Sequence, residues 1–162
     1  MLDLKGGKEL QQLLDQLPAK IEANILRGGL RAGAKVLLNA VKESAPVDEG
    51  DLKASVRIST ALKNGQVSVF VKVGNQKAWY AHIVEFGSAP HEMRSRRANY
   101  EKTGDYRGLT VVDRLHPGAR PNPFVRSAYD ANEQQAVDAA VDYMRNRLKT
   151  KHGLEMPDND ET

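Results

Sequence analysis

The chain has 162 residues, no cysteine, and nearly balanced charge, with 24 Lys or Arg against 21 Asp or Glu. This length suits one ordinary domain with its own core, and 40% hydrophobic residues with a mean hydropathy of −0.56 indicate a folded chain with a polar surface. The composition excludes disulfides, thiolate metal sites and a cysteine nucleophile, and the sequence holds neither an apolar run of the roughly 20 residues that span a bilayer nor the pattern of a signal peptide.

Two helices are predicted in the first third of the chain. Four leucines recur with the i, i+3, i+4, i+7 spacing of one helix face: Leu10, Leu13, Leu14 and Leu17. Pro18 suits the first turn of a second helix that continues to about Ser44. Gly28, Gly29 and Gly33 fall inside this second helix, where each costs about 1 kcal/mol relative to alanine. We therefore expect either close packing of this helix against another element or a kink.

A β-hairpin is predicted next. Residues 46–50 carry turn chemistry. Apolar and polar residues then alternate over 52–59 and again over 67–73, which is the period of a strand. Asn64 and Gly65 lie between the two runs and form a strong hairpin-turn signal.

The middle of the chain combines an apolar segment with a basic one. Residues 80–86, YAHIVEF, fit either a short amphipathic helix or a buried strand. Gly87 ends this segment, and we expect it to adopt a backbone angle open mainly to glycine. Residues 88–120 hold seven Lys or Arg against four Asp or Glu, with a short strand indicated at 109–112. A segment this long with little structure is usually functional or mobile.

A C-terminal helix completes the pattern. Asn122 as cap and Pro123 as first helical residue predict its start, and apolar spacing continues it to about Lys149. Residues 150–162 carry four acids and are predicted to be a flexible tail. We predict one α+β domain over 1–149, in which long N- and C-terminal helices pack on a small antiparallel sheet and 88–120 forms an extended basic loop or arm.

The side chains that could carry chemistry form weak patterns. The candidate metal ligands do not match a closed zinc pattern: His82, Glu85, His91 and His116. The candidate nucleophiles lack a nucleophile elbow: Ser55, Ser59 and Ser88. The glycines form neither of the phosphate-binding motifs, G-x-x-x-x-G-K-[ST] or G-x-G-x-x-G. We expect no catalytic residue, no metal, no cofactor and no small-molecule ligand.

Two further segments have competing interpretations. Arginines and tyrosines in 91–107 could neutralise phosphates and stack on bases. The alternative is a solvated loop, or one that pairs with acids on a neighbouring subunit, because the charge excess is small compared with dedicated nucleic-acid binders. The apolar members of 80–86 are most simply core residues: Tyr80, Ile83, Val84 and Phe86.

Three motifs occur in order between the predicted terminal helices. They are ESAPVDEGDLKASV at 43–56, YAHIVEFG at 80–87 and HPGARPNPFVRSA at 116–128. This ordered set resembles the neck or tail-completion protein family of long-tailed bacteriophages. Members often carry AP-x-D-x-G-x-L-x-x-S-[IV], YA-x-x-[VL]EFG[TS] and HPG-x-x-x-x-PF-[LV]-R-x-A. The resemblance covers about residues 8–149.

The resemblance implies a structural virion protein of α+β fold and not an enzyme. Such proteins form a ring, typically sixfold, at the head-proximal end of the tail. The ring completes the tail and joins it to the head connector. Its implied partners are further copies of the chain, the tail tube and connector proteins, and DNA that passes through the lumen without sequence-specific contacts; a membrane is not among them. The implied location is the tail or neck of the virion, after synthesis in the host bacterial cytoplasm.

Two sets of residues would carry this role. The expected subunit-interface residues are Tyr80, Ile83, Glu85, Phe86, Gly87, His116, Pro117, Gly118, Pro121, Pro123 and Phe124. The expected arm that faces DNA or a partner protein contains Arg94, Arg96, Arg97, Lys102 and Arg107. The alternative for the residues of 116–124 is an intramolecular role, in which they fix the ends of the loop.

Overall fold

The computed structural model describes residues 7–15, 19–63, 65–95 and 111–153. The chain divides into two compact units, a helical unit of Met1–Trp79 with Phe124–Thr162 and an arm unit of Tyr80–Pro123. The elements of the helical unit are α1 (Gly7–Asp15), α2 (Ala19–Ser44), α3 (Asp51–Ser55), β1 (Arg57–Lys63), β2 (Gln66–Lys72) and α5 (Phe124–His152). The elements of the arm unit are α4 (Ala81–Phe86), β3 (His91–Ser95) and β4 (Val111–His116). The predicted α+β class is confirmed, while the predicted single domain over 1–149 stays a prediction.

Helices α2 and α5 pack closely together along a line of glycines. A Cβ atom on Gly33 would overlap the carbonyl oxygen of Ala136, and one on Gly29 would lie 2.6 Å from Cγ of Met144. The partner position in α5 falls as the position in α2 rises, so the helices run antiparallel. Close packing, rather than a kink alone, therefore accounts for the glycines, since the missing side chains let the two backbones approach.

Helix α1 closes one end of this helix pair. The core cluster combines residues from all three helices: Leu10, Leu14, Ile25, Val141, Met144 and Leu148. Leu14 and Leu148 are the largest fully buried side chains among the described residues. The buried pair Leu10 and Leu14 confirms the predicted apolar face of α1, while Leu17 lies outside the described residues.

The predicted strand from residue 52 is wrong at its start, because residues 51–55 form helix α3. Gly50 adopts a left-handed conformation with φ 85°, and its carbonyl oxygen accepts a 3.0 Å hydrogen bond from the Ala54 amide. Leu52, Ser55 and Val56 are buried. Their i, i+3, i+4 spacing is helical, although Leu52 and Val56 also fit the alternation of a strand.

The predicted β-hairpin is confirmed from Arg57 onwards. Strands β1 and β2 pair antiparallel in a register that runs from Arg57 with Lys72 to Lys63 with Gln66. Gly65 in the turn has φ 78°, and Asn64 lies outside the described residues. Helix α2 packs against both strands.

The arm unit begins with α4, which settles the alternatives for 80–86 in favour of a helix. Strands β3 and β4 then pair antiparallel, with a register shift between Met93 and Arg94. The strand indicated at 109–112 is described only from Val111, since 96–110 lie outside the described residues.

The C-terminal helix differs slightly from its predicted bounds. Helix α5 begins at Phe124, one residue later than predicted, and the amide of Asn122 donates a 2.8 Å hydrogen bond to the carbonyl oxygen of Val84. The helix continues to His152, so the first three residues of the predicted tail are helical. Residues 154–162 of that tail lie outside the described residues. Within the described part of the chain, the helices are too short or too polar to cross a membrane.

Candidate interaction surfaces

Two glycines bring the second and third motifs together inside the arm unit. Ser88 and Ala119 exchange backbone hydrogen bonds of 3.0 and 3.1 Å, which joins the residue after EFG to the residue after HPG. Gly87 has φ 74° and ψ −174°, a region open almost only to glycine. A Cβ on Gly87 would lie 2.6 Å from the carbonyl oxygen of Ala119, and one on Gly118 would overlap that of Ser88. The predicted glycine-specific backbone at Gly87 is therefore confirmed.

Two histidines stack at the base of the β3–β4 hairpin. His91 and His116 face each other in the register, with ring centroids 4.9 Å apart and ring planes 23° from parallel. Nδ1 of His91 lies 3.0 Å from the carbonyl oxygen of Ala89, and Nδ1 of His116 accepts a 3.0 Å hydrogen bond from the Gly118 amide. Both rings therefore take part in local turn structure. No group of three or more His, Asp or Glu among the described residues could hold a metal ion.

The expected interface residues differ widely in exposure. Phe86 is 78% exposed, so the interpretation of Phe86 as a core residue is wrong. Ala81 and Glu85, one turn apart on α4, are buried, whereas His82 and Phe86 share the exposed side. The other expected interface residues fall in three groups: Pro117, Pro121 and Pro123 are exposed, Tyr80, Ile83, Gly87, His116 and Gly118 are half-buried, and Phe124 is buried. Phe86 is thus the large apolar side chain of this set that a partner could reach.

The expected basic arm is described only at its base. Arg94 lies in β3, while Arg96, Arg97, Lys102 and Arg107 lie outside the described residues. The strands at the base expose Met93 by 42% and Leu115 by 71%. The described base of the arm therefore offers apolar side chains, and the role of the arm in binding DNA or a partner stays a prediction.

The serine of the first motif has a structural role. Oγ of Ser55 donates a 2.6 Å hydrogen bond to the carbonyl oxygen of Leu52 and accepts a 2.9 Å one from the Gly74 amide. Arg57 donates to the carbonyl oxygens of Ser55 at 3.1 Å and Gly74 at 2.6 Å. These bonds tie α3 to the end of the β1–β2 hairpin, which explains a buried hydroxyl at this position without catalysis.

The sequence interpretation missed a surface on the β1–β2 hairpin. Phe70 is 47% exposed, and Nζ of Lys72 lies 6.0 Å from the centroid of its ring. The side chains opposite and diagonal to Phe70 are small, because the register places Ser59 across from Phe70 and Ala61 across from Ser68. Exposed aromatic residues are enriched at protein interfaces. The alternation over 67–73 contained this signal, since Phe70 occupies a position predicted to face solvent.

Comparison with known proteins bears on the part of the chain from α1 to α4. Residues 8–87, 80 of the 162 residues, match the model of a family described as "Bacteriophage HK97-gp10, putative tail-component". The matched stretch ends at Gly87 and contains the first two motifs. No curated protein and no solved structure matches the chain.

Proposed function

We propose that this chain, a bacteriophage tail component of the HK97-gp10-like family by its residues 8–87, completes the tail at its head-proximal end. Copies of the chain form a ring, which meets the head connector on one side and the tail tube on the other. The genome passes through the lumen of that ring. The family match is the observation that carries this proposal, because it covers the whole stretch from α1 to α4, including the first two of the three motifs.

The geometry of the arm unit supports extending the resemblance beyond residue 87. The third motif lies outside the matched stretch, yet its Ala119 pairs with Ser88, next to the end of the second motif. Gly87 and Gly118 are both required for this close approach. The second and third motifs therefore form one structural feature, as expected if both belong to the same family fold.

The charge of the chain suits contact with DNA in transit. The net charge is only +3, and tight binding to DNA needs many phosphate contacts. A weakly basic lumen screens the phosphates without holding the genome. Arg94 and the basic residues of 96–107 are the proposed lumen or partner contacts of the arm. In this proposal the chain has a structural role in the virion and performs no catalysis.

Electron microscopy of particles made by a phage with this gene disrupted tests the proposal. We expect filled heads and separate, unjoined tails, and joined particles again when the intact gene is supplied in trans. Complete joined particles without the gene product would overturn the assignment to the joint. Heads without any assembled tails would also overturn it, because they would assign the protein to an earlier step.

The nucleic-acid-binding alternative for 91–107 makes a different prediction. It requires submicromolar binding of the purified protein to duplex DNA with a steep dependence on salt concentration. The proposed lumen contacts are weak, so we expect binding to be undetectable at micromolar protein in physiological salt.

A further inference from the structure

Opposite charges are collected on two parts of the helical unit. Residues 52–79, which include β1 and β2, contain five Lys or Arg and no Asp or Glu. Residues 127–144 of α5 contain four Asp or Glu and no Lys or Arg. This separation is much larger than the net charge of +3 indicates, so local charge, rather than total charge, decides what these parts attract.

The two parts pack against different sides of α2. Nη1 of the exposed Arg31 donates a 3.2 Å hydrogen bond to Oγ1 of Thr60 in β1, so this side chain reaches the hairpin. Gly33 approaches Ala136 and marks the side that faces α5. Arg31 and Gly33 are two positions apart, which corresponds to about 200° around the helix axis. Helix α2 packs against both the hairpin and α5, whereas the hairpin and α5, as far as their residues are described, make no extensive contact with each other.

One face of the β1–β2 hairpin is turned to α2. The side chains on its other face form the hairpin surface, chiefly Lys63, Phe70 and Lys72. Thr60 and its neighbours Ile58 and Leu62 form the other face. Lys63 and Lys72 lie near opposite ends of the hairpin, and all three side chains of the hairpin surface are exposed. Lys63 pairs with Gln66, which precedes Lys72 by six residues on β2. The two lysines are therefore about 20 Å apart along the hairpin.

The acidic stripe consists of Asp130, Asp138 and Asp142 on α5. Their separations are multiples of four residues, so they form a stripe along the outer part of the helix that winds by about 120° around its axis. All three are exposed, while Ala128, Ala136 and Met144 are buried on the other side. Twelve residues of helix from Asp130 to Asp142 correspond to about 18 Å. The stripe thus has nearly the length that separates the two lysines of the hairpin surface.

The contacts within the chain leave these carboxylates available to a partner. Asp142, whose side chain is 69% exposed, lies 4.0 Å from Nη1 of Arg145, and ion pairs at the surface contribute little stability. Asp138 accepts a 3.1 Å hydrogen bond from Gln134 at the surface.

We propose that the hairpin surface of one copy docks on the acidic stripe of a second copy. Charge and length match between the two surfaces, and Phe70 supplies an apolar anchor. The two surfaces are different, so the contact is head to tail and continues from copy to copy, which closes to a ring under a suitable rotation. This inference deepens the proposed function and relies on it only for the closed ring.

Charge reversal with exchange tests the contact on the purified full chain. One variant carries Lys63→Glu and Lys72→Glu, and a second carries Asp130→Lys and Asp138→Lys. We expect each to self-associate at least tenfold more weakly than the wild type in sedimentation velocity, and an equimolar mixture of the two to form heterodimers. We expect the mixture to form longer alternating assemblies as well, because the reversed surfaces, with Glu on the hairpin of one variant and Lys on α5 of the other, also carry opposite charges.

The matched control reverses two other exposed acids, Glu43→Lys and Glu49→Lys, with the same change in net charge. We expect it to self-associate like the wild type, and all variants to keep the thermal unfolding midpoint within a few degrees. Association of the wild type should also weaken as salt rises, because the contact is partly ionic.

Four results would overturn the inference. They are a wild type that stays monomeric at high protein concentration, an acidic-stripe variant that associates like the control, a mixture that forms no heterodimers, and a hairpin surface that binds DNA while the stripe has no effect on assembly. The proposed function fails separately, through joined particles without the gene product. Unjoined tails together with an unaffected self-association would leave the proposed function and reject this contact.

Discussion

The helical unit and the arm unit are held together by different means. In the helical unit, side chains from α1, α2 and α5 form a buried cluster, and glycines bring two helices together. In the arm unit, Ala81 and Glu85 are the buried residues among the side chains described, and the strand ends are joined through backbone contacts at Gly87 and Gly118. Stability of the first unit depends on apolar burial, whereas the conformation of the second depends on backbone geometry at two points. Substitutions that change only burial or only backbone geometry test this difference between the two units.

The largest effect is expected for Leu148→Ala. Leu148 is fully buried, and truncating a buried leucine costs the lost burial plus a cavity, here about 3 kcal/mol. Urea unfolding followed by circular dichroism measures this loss. Leu115→Ala in the arm unit is the control, because Leu115 is 71% exposed and its removal should cost less than about 0.5 kcal/mol. Equal costs at the two positions would contradict the contrast.

A slightly smaller loss is expected for Gly33→Val, about 2 kcal/mol, because the added side chain would force α2 and α5 apart. Lys35→Val on the exposed side of the same helix is the control for the lower helix propensity of valine. It should cost well under 1 kcal/mol in the same urea experiment. A Gly33 variant as stable as the Lys35 variant would show that the helix packing tolerates separation.

In the arm unit, Gly118→Ala should act locally. Gly118 has φ 86°, and its Cβ would overlap the carbonyl oxygen of Ser88, whereas Gly50 has φ 85° and open space around it. Gly50→Ala therefore carries only the left-handed strain and serves as the control. We expect hydrogen exchange at the Ser88 and Ala119 amides to accelerate by roughly tenfold in the Gly118 variant, equivalent to about 1.4 kcal/mol.

Those two amides should keep their wild-type exchange in the Gly50 variant. The overall unfolding midpoint should fall by similar, small amounts in both variants. A Gly118 variant that unfolds the whole chain would mean that the arm unit contributes to global stability, against the contrast drawn above.

The smallest effect on stability is expected for Phe70→Thr. Phe70 is half-exposed and threonine also favours strands, so the cost should be about 0.5 kcal/mol. Self-association measured by sedimentation should nevertheless weaken, since the phenyl group of Phe70 is the apolar anchor of the proposed contact. A variant that loses stability strongly without losing association would assign Phe70 to the fold instead of the contact.

Local patterns predicted the elements that depend on local physics. The spacing of the leucines indicated α1, and Asn64–Gly65 located the turn between β1 and β2. Helix α3 was missed because apolar residues at 52 and 56 fit both periods, and the left-handed Gly50 that starts the helix has no effect on periodicity. Phe86 was assigned to the core because a six-residue segment is too short for its apolar pattern to define one face.

Features that join distant residues were beyond such patterns. Ser88 and Ala119 are 31 residues apart, and their pairing appears only in the folded backbone. The unequal distribution of charge can be counted from the sequence. Its meaning depends on how α2 packs against both the hairpin and α5, which only the folded chain shows.

The glycine contact between α2 and α5 also affects the order in which the chain can fold during synthesis. Gly33 and Ala136 are 103 residues apart, so α2 leaves the ribosome long before the helix that covers it. Until residues 124–148 have been made, the side of α2 that carries the glycines lacks its native cover, and the Leu10 and Leu14 side chains lack half of their core. The family-matched stretch 8–87 therefore cannot complete its native core by itself, and folding of the helical unit waits for the last helix.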